Sequence, residues 1–300
     1  MEMIKLKLKT KEDLSSHCTF QTGGKADYFY ELKNVEELPE LIKFAKQKHI
    51  PYILIGKGSN LLFDDKGFRG LVIKNLTEKI TFKGNHVTVD SGVVTAKLVQ
   101  ESLKKGLSPL EKWIGLPGTI GGAVYGNAGC NGLETKDILE KATILNPKIG
   151  KIKEVSVKYF QFKYRTSKLK KSGEILLNTT FKLSQSKLSA EDQKEIMMQS
   201  TKFRLQKQPL GLSSGSFFKN PSTKNPAGML IDKAGLKGKI IGKAQISEKH
   251  GNFLLNLGGA TSADIIKLAK LAKRLVKAKF KLELHPEVQI LTETGKRKLI

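Results

Sequence analysis

Cysteine, arginine and long apolar runs are all scarce in this chain of 300 residues. Its two cysteines, Cys18 and Cys130, show no CxxC spacing and no neighbouring histidine cluster. This excludes a disulfide framework and predicts no metal site. Cys130 lies within a glycine-rich stretch, where we interpret it as a small buried space-filler rather than a reactive thiol.

Apolar runs such as 52–56 (YILIG) and 253–259 (FLLNLGG) fall far short of the ~20 residues that a membrane span requires. The start, MEMIKLKLKTKEDL, has no apolar core that could serve as a secretory signal. We therefore expect a cytoplasmic protein without membrane insertion. With 39% apolar residues the chain can bury a sizeable core, and its length predicts roughly two domains.

Charge of one sign dominates, since the formal net charge is +25. Basic residues neutralise phosphates and so favour nucleic-acid binding. However, only five of them are arginines, the residue that suits bidentate phosphate and base contacts, and the lysines are spread through nearly every segment. We therefore expect no nucleic-acid partner and interpret the charge as a compositional bias that suits anionic small ligands. Protein partners cannot be read from the sequence.

The first eighty residues predict an α/β segment. Asn34 is a plausible N-cap for a helix over 35–49, where apolar residues recur at helical spacing. Strands are predicted at 52–56 and 71–75, separated by the glycine turn GKGSNLLFDDKGFRG. That turn has Leu61 where a dinucleotide-binding GxGxxG motif needs its third glycine. No GKS or GKT follows at the spacing that a Walker loop requires, so both common nucleotide folds are disfavoured.

Further along, the pattern predicts one strand over 81–92 and a helix that ends at Gly106, a natural left-handed C′ residue. Ser189 is placed to cap a helix that begins near Glu191, and Pro209 with Gly211 marks a break. Other predicted elements are strands at 140–146, 152–158, 175–182 and 287–291, and an amphipathic helix over 262–279 whose apolar side carries Ile265, Leu268, Ala272 and Leu275.

A stretch at 115–132, GLPGTIGGAVYGNAGCNG, contains seven glycines in eighteen positions. Pro117, Gly118 and Thr119 suit the entry to a short helix whose free N–H groups attract an anion, and glycines let a diphosphate approach the backbone. A tight packing corner explains the same glycines, and the stretch alone leaves both readings open. Together with the loop GKGSNLL at 56–62, it favours a long ligand held by two backbone cradles.

Seven motifs, taken in order, resemble the UDP-N-acetylenolpyruvoylglucosamine reductase family nearly from end to end, in its shorter type without a substrate-covering tyrosine loop. They are TFQTGGKADYF (19–29), GKGSNLL (56–62), GLPGTIGGAVYGNAG (115–129), FKYRTS (162–167), GSFFKNP (215–221), HGNFLLN (250–256) and HPEV (285–288). One such motif is weak, whereas seven in the same order are specific to the family. Cys18, directly before the first motif, and Gln21, within it, depart from the family pattern.

The resemblance implies an α+β fold: a two-lobed FAD-binding region of the vanillyl-alcohol-oxidase (PCMH) type and a smaller α+β C-terminal substrate domain. The predicted boundaries are 1–80 for lobe 1, 81–208 for lobe 2 and 209–300 for the C-terminal domain. FAD is expected to be non-covalent, because residues 56–62 contain no histidine. The implied FAD-binding residues are Gly56, Lys57, Gly58, Ser59, Asn60, Leu61, Pro117, Gly118, Thr119, Gly121, Gly122, Ala123, Asn127 and Gly129.

The family's reaction is NADPH-dependent reduction of an enolpyruvyl UDP-sugar, and its three catalytic positions correspond here to Arg165, Ser216 and Glu287. Arg165 and Glu287 are expected to stabilise the charge that develops near the substrate carboxylate, and Ser216 to donate a proton. The resemblance further implies substrate contacts from Tyr164, Lys219, Asn220 and Asn252. A flavin oxidase on the same fold, with oxygen as acceptor, is the alternative enzyme, and the GSFFKNP and HPEV motifs argue against it.

Overall fold

The computed structural model describes residues 7–297 and Ile300. Its strands are β1 (Lys9–Asp13), β2 (Lys25–Leu32), β3 (Tyr52–Ile55), β4 (Leu61–Phe63), β5 (Phe68–Asn75), β6 (Ile80–Lys83), β7 (His86–Asp90), β8 (Leu107–Ser108), β9 (Gly129–Cys130), β10 (Leu133–Glu134), β11 (Leu139–Asn146), β12 (Lys151–Ser156), β13 (Ile175–Lys182), β14 (Ser184–Gln185), β15 (Ile240–Ile241), β16 (Ala244–Ile246), β17 (Leu254–Asn256) and β18 (Gln289–Leu291). The helices are α1 (Leu38–Gln47), α2 (Thr95–Lys104), α3 (Ile120–Gly126), α4 (Thr135–Ile138), α5 (Leu169–Ser172), α6 (Ala190–Lys207), α7 (Ala227–Lys233) and α8 (Ser262–Phe280).

The described residues form two compact units. Unit 1 comprises residues 31–44 and 74–204, and unit 2 comprises 7–30, 45–73 and the residues from 205 onward. Each unit has its own buried apolar cluster. The predicted three-part division of the chain into 1–80, 81–208 and 209–300 stays a prediction.

Unit 1 is built on a five-stranded sheet in the order β12-β11-β13-β7-β6, in which every neighbouring pair is antiparallel. Its strands alternate: Val87 and Val89 are buried, whereas Thr88 pairs with Thr180 (hydroxyl oxygens 3.0 Å apart) on the other face. Trp113 packs edge-on against Phe181 with ring centroids 5.8 Å apart. The apolar face of this sheet therefore supplies the core of unit 1.

The prediction of a single strand over 81–92 is wrong, because the segment forms the hairpin β6–β7. Lys83 and His86 are paired, so only Gly84 and Asn85 make the turn. Gly84 has a φ of 57°, a left-handed backbone that glycine adopts at no steric cost. The other predicted strands and helices are present with ends shifted by a few residues, and α2 is followed by Gly106 with a φ of 65°, as predicted.

Unit 2 carries the long helix α8 against the three-stranded sheet β15-β16-β17. Ile265, Leu268 and Ala272 are fully buried in its apolar cluster, and Leu275 is partly buried against it, as the helical spacing predicts. A parallel pair joins β4 to β18, with Leu61 opposite Gln289. This pair fixes the glycine loop before β4 beside the C-terminal segment before β18. Within the described residues, every helix is too short or too polar to cross a bilayer.

The N-terminus of α8 receives its hydrogen bonds from two sources. Thr261 and Asp264 form a capping box, in which the Thr261 hydroxyl accepts the Asp264 N–H at 3.1 Å. Asp65 comes from a distant loop, and its carboxylate accepts the N–H groups of Ser262 (2.6 Å) and Ala263 (3.1 Å). Asp65 therefore satisfies two backbone donors that the helix itself leaves unpaired.

We expect Asp65→Ala to lower the free energy of unfolding by about 1 kcal/mol, because a helix cap and its charge are lost together. Asp65→Asn keeps one acceptor oxygen and should lose less. Chemical denaturation measures both values, with the exposed neighbour Lys66→Ala as the matched control. Equal stabilities for Asp65→Ala and Lys66→Ala would contradict the capping role.

Candidate active site

The glycine-rich stretch enters α3 as the sequence predicts. Thr119 is the N-cap, and its hydroxyl accepts the Gly122 N–H at 3.4 Å. Gly121 packs closely: its N–H donates to the Ser91 carbonyl at 2.7 Å, and a Cβ at this position would lie 2.9 Å from the same oxygen. By contrast, a Cβ at Gly126 would meet no atom within 4 Å. The stretch therefore combines a packing corner with open backbone surface.

Asn127 ends α3 in a left-handed conformation and is fully buried. Its Nδ2 donates to Glu134 Oε2 at 3.0 Å and to the Lys163 carbonyl at 3.2 Å, and its Oδ1 accepts the Lys136 N–H at 3.1 Å. The side chain of this predicted FAD-binding residue thus has no exposed surface for a ligand. It instead connects α3 and the β9–β10 hairpin to the turn that carries Arg165.

Arg165 occupies a tight turn in unit 1 with a φ of 54°, which is unusual for a residue other than glycine. Lys163 and Thr166 close the turn by exchanging two backbone hydrogen bonds of 3.1 Å. Arg165 Nη2 donates to the Gly129 carbonyl at 3.2 Å, and Lys170 Nζ donates to the Arg165 carbonyl at 2.7 Å. Such local strain persists because these contacts over-determine the turn, and it is concentrated at functional sites.

Next to this turn lies a cavity of about 370 Å³, lined by Tyr164, Arg165 and the β9–β10 hairpin. Burial raises the pKa of Glu134, but hydrogen bonds from Lys136 and Asn127 and the charge of Arg165 outweigh it, so the net pKa is lowered. Glu134 is therefore ionised at neutral pH. Burial raises the pKa of Cys130, whose Sγ lies 3.4 Å from Arg204 Nη1, so this thiol stays protonated.

In unit 2, the segment that carries Ser216 lies between two other segments. Ser216 pairs with Phe253 on one side, and Phe218 pairs with Pro286 on the other. The Phe217 carbonyl accepts the Glu287 N–H at 2.8 Å, which places Ser216 and Glu287 on adjacent segments. Ser216 is exposed, whereas Phe217 and Phe218 are buried and anchor the segment in the core.

Asn252, predicted to bind substrate, is only 2% exposed. Its Oδ1 accepts the Phe218 N–H at 2.9 Å, and its Nδ2 donates to the Phe218 carbonyl at 2.8 Å. The backbone N–H of Asn252 donates to Nδ1 of His250 at 3.1 Å, and burial lowers the pKa of that histidine. The imidazole of His250 is therefore neutral at pH 7, as an accepting nitrogen requires.

The glycine loop 56–62 is hydrogen-bonded to the segment that carries Glu287. Asn60 Nδ2 donates to the Glu287 carbonyl at 3.2 Å, and the Asn60 carbonyl accepts the Gln289 N–H at 3.0 Å. At Gly58, with a φ of 66°, a Cβ would lie 2.1 Å from the His17 carbonyl oxygen, so only glycine fits. One unit thus brings together Ser216, Glu287 and the loop predicted to hold FAD.

Several residues of this site were not predicted. Asn256 is buried and fastens the loop that contains Phe20 and Gln21, since its Nδ2 donates to both of their carbonyls. Thr19 and Thr22 carry buried hydroxyls without a hydrogen-bond partner among the described residues. The only sequence signal for them was their position inside matching motifs. Within residues 7–297 and Ile300, no group of three or more His, Cys, Asp or Glu side chains is placed to hold a metal ion.

The other predicted site residues are distributed over both units. Unit 1 holds Pro117, Gly118, Thr119, Ala123 and Gly129 of the glycine stretch and the exposed ring of Tyr164. Unit 2 holds Lys219, whose N–H donates to the His285 carbonyl at 2.9 Å, and the exposed Asn220. It also holds the remaining loop residues Gly56, Lys57, Ser59 and Leu61.

Comparison with known proteins identifies two regions of the chain. The model of the FAD binding domain matches residues 26–156. The model of the C-terminal domain of UDP-N-acetylenolpyruvoylglucosamine reductase matches residues 206–291. Both matches agree with the fold class predicted from the resemblance, an FAD-binding region followed by a separate C-terminal domain.

Relatives are similar over nearly their whole length. The UDP-N-acetylenolpyruvoylglucosamine reductase of Carboxydothermus hydrogenoformans is 40% identical over 290 residues, which cover 94% of this chain and 93% of the relative. That of Bacillus subtilis is 39% identical over 292 residues, 95% of this chain and 94% of the relative. The crystal structure of the Thermus caldophilus reductase superposes with a TM-score of 0.80 at 32% identity, covering 96% of this chain and 99% of that one.

The predicted α+β fold, with an FAD-binding region and a separate C-terminal domain, is confirmed by these matches. The predicted resemblance is confirmed as well, by sequence and by structure. With 40% identity across 94% of its length, this chain belongs to the UDP-N-acetylenolpyruvoylglucosamine reductase family.

Proposed function

We propose that the protein reduces UDP-N-acetylglucosamine enolpyruvate to UDP-N-acetylmuramate through bound FAD, with NADPH as the hydride donor. This reaction belongs to peptidoglycan precursor synthesis and takes place in the cytoplasm. The observation that carries the proposal is the position of Phe217, which follows Ser216 directly and accepts the Glu287 N–H at 2.8 Å. Two groups with complementary roles in the reaction, from segments far apart in the chain, are thereby held on adjacent backbones.

The residues near the glycine loop fit FAD. Gly58 lies so close to the backbone of His17 and Cys18 that the loop has a fixed shape. Thr19, whose N–H donates to the Gly58 carbonyl at 3.3 Å, has a buried hydroxyl without a partner among the described residues. Buried hydroxyls in this state are costly and indicate that a ligand completes the site.

In unit 1, open backbone at Gly122 and Gly126 suits a group that approaches the protein closely. We propose that FAD is held by these residues together with the rest of the two glycine-rich segments, namely Gly56, Lys57, Gly58, Ser59, Asn60, Leu61, Pro117, Gly118, Thr119, Gly121, Ala123 and Gly129. Asn127 contributes by holding the loop, since its side chain is fully buried.

Attachment of FAD is proposed to be non-covalent. The backbone of His17 lies against Gly58, and the ring of His17 is 8% exposed. The ring stacks on Phe29 with centroids 4.3 Å apart, and Nε2 lies 2.9 Å from Glu12 Oε1. These contacts occupy the imidazole that a covalent flavin bond would need.

Bound there, FAD would take a hydride from NADPH and would supply it to the terminal carbon of the enolpyruvyl group. Negative charge then moves to the adjoining carbon and its carboxylate. The guanidinium of Arg165 and the carboxylic acid of Glu287 stabilise that charge. Ser216 donates the proton to the carbon that bears the ether oxygen, and the charge of Lys219, three residues further on, favours the transfer. Overall, the enolpyruvyl group takes up one hydride and one proton.

Substrate binding is proposed for three side chains. Asn220 is exposed beside the Ser216 segment, and its Oδ1 accepts the Ala227 N–H at 3.0 Å, which fixes its direction. Lys219 provides positive charge for the UDP group. Tyr164 lines the cavity beside Arg165, and its ring centroid lies 5.6 Å from the guanidinium carbon of that arginine.

Gly58→Ala is expected to abolish most FAD binding, because the new Cβ would lie 2.1 Å from a backbone oxygen and would displace the loop. FAD content of the purified protein, from its visible absorbance, and the dissociation constant for added FAD measure the loss. Gly84→Ala is the matched control, since its φ of 57° is equally left-handed but no atom lies within 4 Å of its Cβ. Equal FAD content in both variants would contradict the proposed role of the loop around Gly58 in binding FAD.

Ser216→Ala separates the two half-reactions. Reduction of the bound flavin by NADPH should proceed at the normal rate, because no proton from Ser216 is required. Reoxidation by the enolpyruvyl substrate should slow by a factor of about 10² to 10⁴, the usual range for loss of a general acid. Anaerobic stopped-flow absorbance of the FAD-loaded enzyme measures both rates. An equal loss in both half-reactions would refute the proton-donor role.

A further inference from the structure

Asn252 does not have the geometry of a substrate ligand. The side chain is 2% exposed, and both of its polar atoms bond to the backbone of Phe218 at 2.9 and 2.8 Å. The Asn252 carbonyl also accepts the Phe217 N–H at 2.8 Å. One residue therefore makes three hydrogen bonds to the two residues that directly follow Ser216.

These bonds take the place of a regular sheet. The Ser216 segment belongs to none of the named strands, and its pairings with Phe253 and Pro286 are isolated bridges. Pro286 has no N–H to donate to Phe218. The primary amide of Asn252, which presents one donor and one acceptor in a plane, pairs with Phe218 as the backbone of a neighbouring strand would.

We propose that Asn252 is a positioning residue, which holds Ser216 in the orientation for proton transfer without touching the substrate. Gly215, with a φ of 75°, precedes Ser216 and imposes little conformational restriction on its own. The direction of the Ser216 side chain is thus fixed from the Phe217–Phe218 side. The proposal rests on the proposed role of Ser216 as proton donor.

The hydrogen bonds from Asn252 to Phe217 and Phe218, here called the Asn252 clamp, are also linked to Glu287. Phe217 is bonded through its N–H to Asn252 and through its carbonyl to the Glu287 N–H. A shift of Phe217 therefore moves Ser216 and Glu287 together. Since a misplacement of about 1 Å is enough to cost on the order of 10² in rate, loosening this clamp acts on the chemical step.

Asn252→Asp is the sharpest test because it preserves shape and the acceptor toward the Phe218 N–H. It replaces the Nδ2 donor with an oxygen that repels the Phe218 carbonyl. In the FAD-loaded enzyme, we expect reoxidation at saturating enolpyruvyl substrate to slow at least tenfold. The dissociation constant for that substrate should stay within about twofold and flavin reduction by NADPH should be unchanged, since Asn252 touches neither ligand.

Asn220→Ala is the matched comparison, because Asn220 is an exposed asparagine near the same serine with a proposed substrate contact. It should raise the dissociation constant for the enolpyruvyl substrate by a larger factor than it slows reoxidation at saturation. If Asn252→Asp behaves in this way instead, Asn252 is a substrate ligand and the proposal is overturned. Should Asn252→Asp not bind FAD or not fold, Asn252→Ser is measured in its place, with the same expected outcomes.

Measuring Ser216→Ala in the same assay distinguishes failure of the positioning role of Asn252 from failure of the proton-donor role of Ser216. Slow reoxidation of Ser216→Ala with normal reoxidation of Asn252→Asp overturns only the positioning role. Normal reoxidation of Ser216→Ala overturns the proton-donor role and, with it, the positioning proposal.

Discussion

The site depends on satisfying backbone hydrogen bonds where no regular sheet exists. Around Ser216 this is done by Asn252, whose amide pairs with both polar backbone groups of Phe218. Buried backbone N–H and C=O groups without partners cost free energy comparable to a lost hydrogen bond, so an irregular segment needs such a partner to be stable in one conformation. The exposed Ser216 can then lie on a non-repetitive backbone that has one conformation.

Buried asparagines solve the same problem at three places. Asn127 in unit 1 connects α3 to the turn that carries Arg165, and Asn256 in unit 2 holds the loop that contains Phe20. Each side chain combines a donor and an acceptor, so it can bridge two segments that have no ladder between them. The glycines complement them: Gly58 and Gly121 permit close packing, whereas Gly126 leaves backbone open. Rigid support and bare backbone are therefore provided by different residue types within the same motifs.

The local sequence pattern predicted the helices and most strands, but it missed the turn that divides 81–92 into two strands. The spacing of Ile265, Leu268 and Ala272 defined the buried side of α8, because a helix repeats every 3.6 residues whatever surrounds it. The segment 81–92 carries the turn-forming pair Gly84 and Asn85 between strand-forming residues, and the pairing of Lys83 with His86 shows that it is a hairpin. No local pattern predicts the cap that Asp65 provides for α8, since Asp65 and Ser262 are 197 residues apart in sequence.

The sequence by itself determined the family, the identity of the cofactor and the candidates Arg165, Ser216 and Glu287, because ordered motifs retain residue types wherever chemistry requires them. It also determined the helices and most strands, which follow from short-range periodicity. Tertiary structure alone decided which polar residues of these motifs are exposed and which are buried and support the backbone. Asn252 and Phe218 are 34 residues apart, and Asn127 and Lys163 are 36 apart. Burial and hydrogen-bond partners at such separations are set by how the chain folds back on itself, which residue type and spacing do not encode locally.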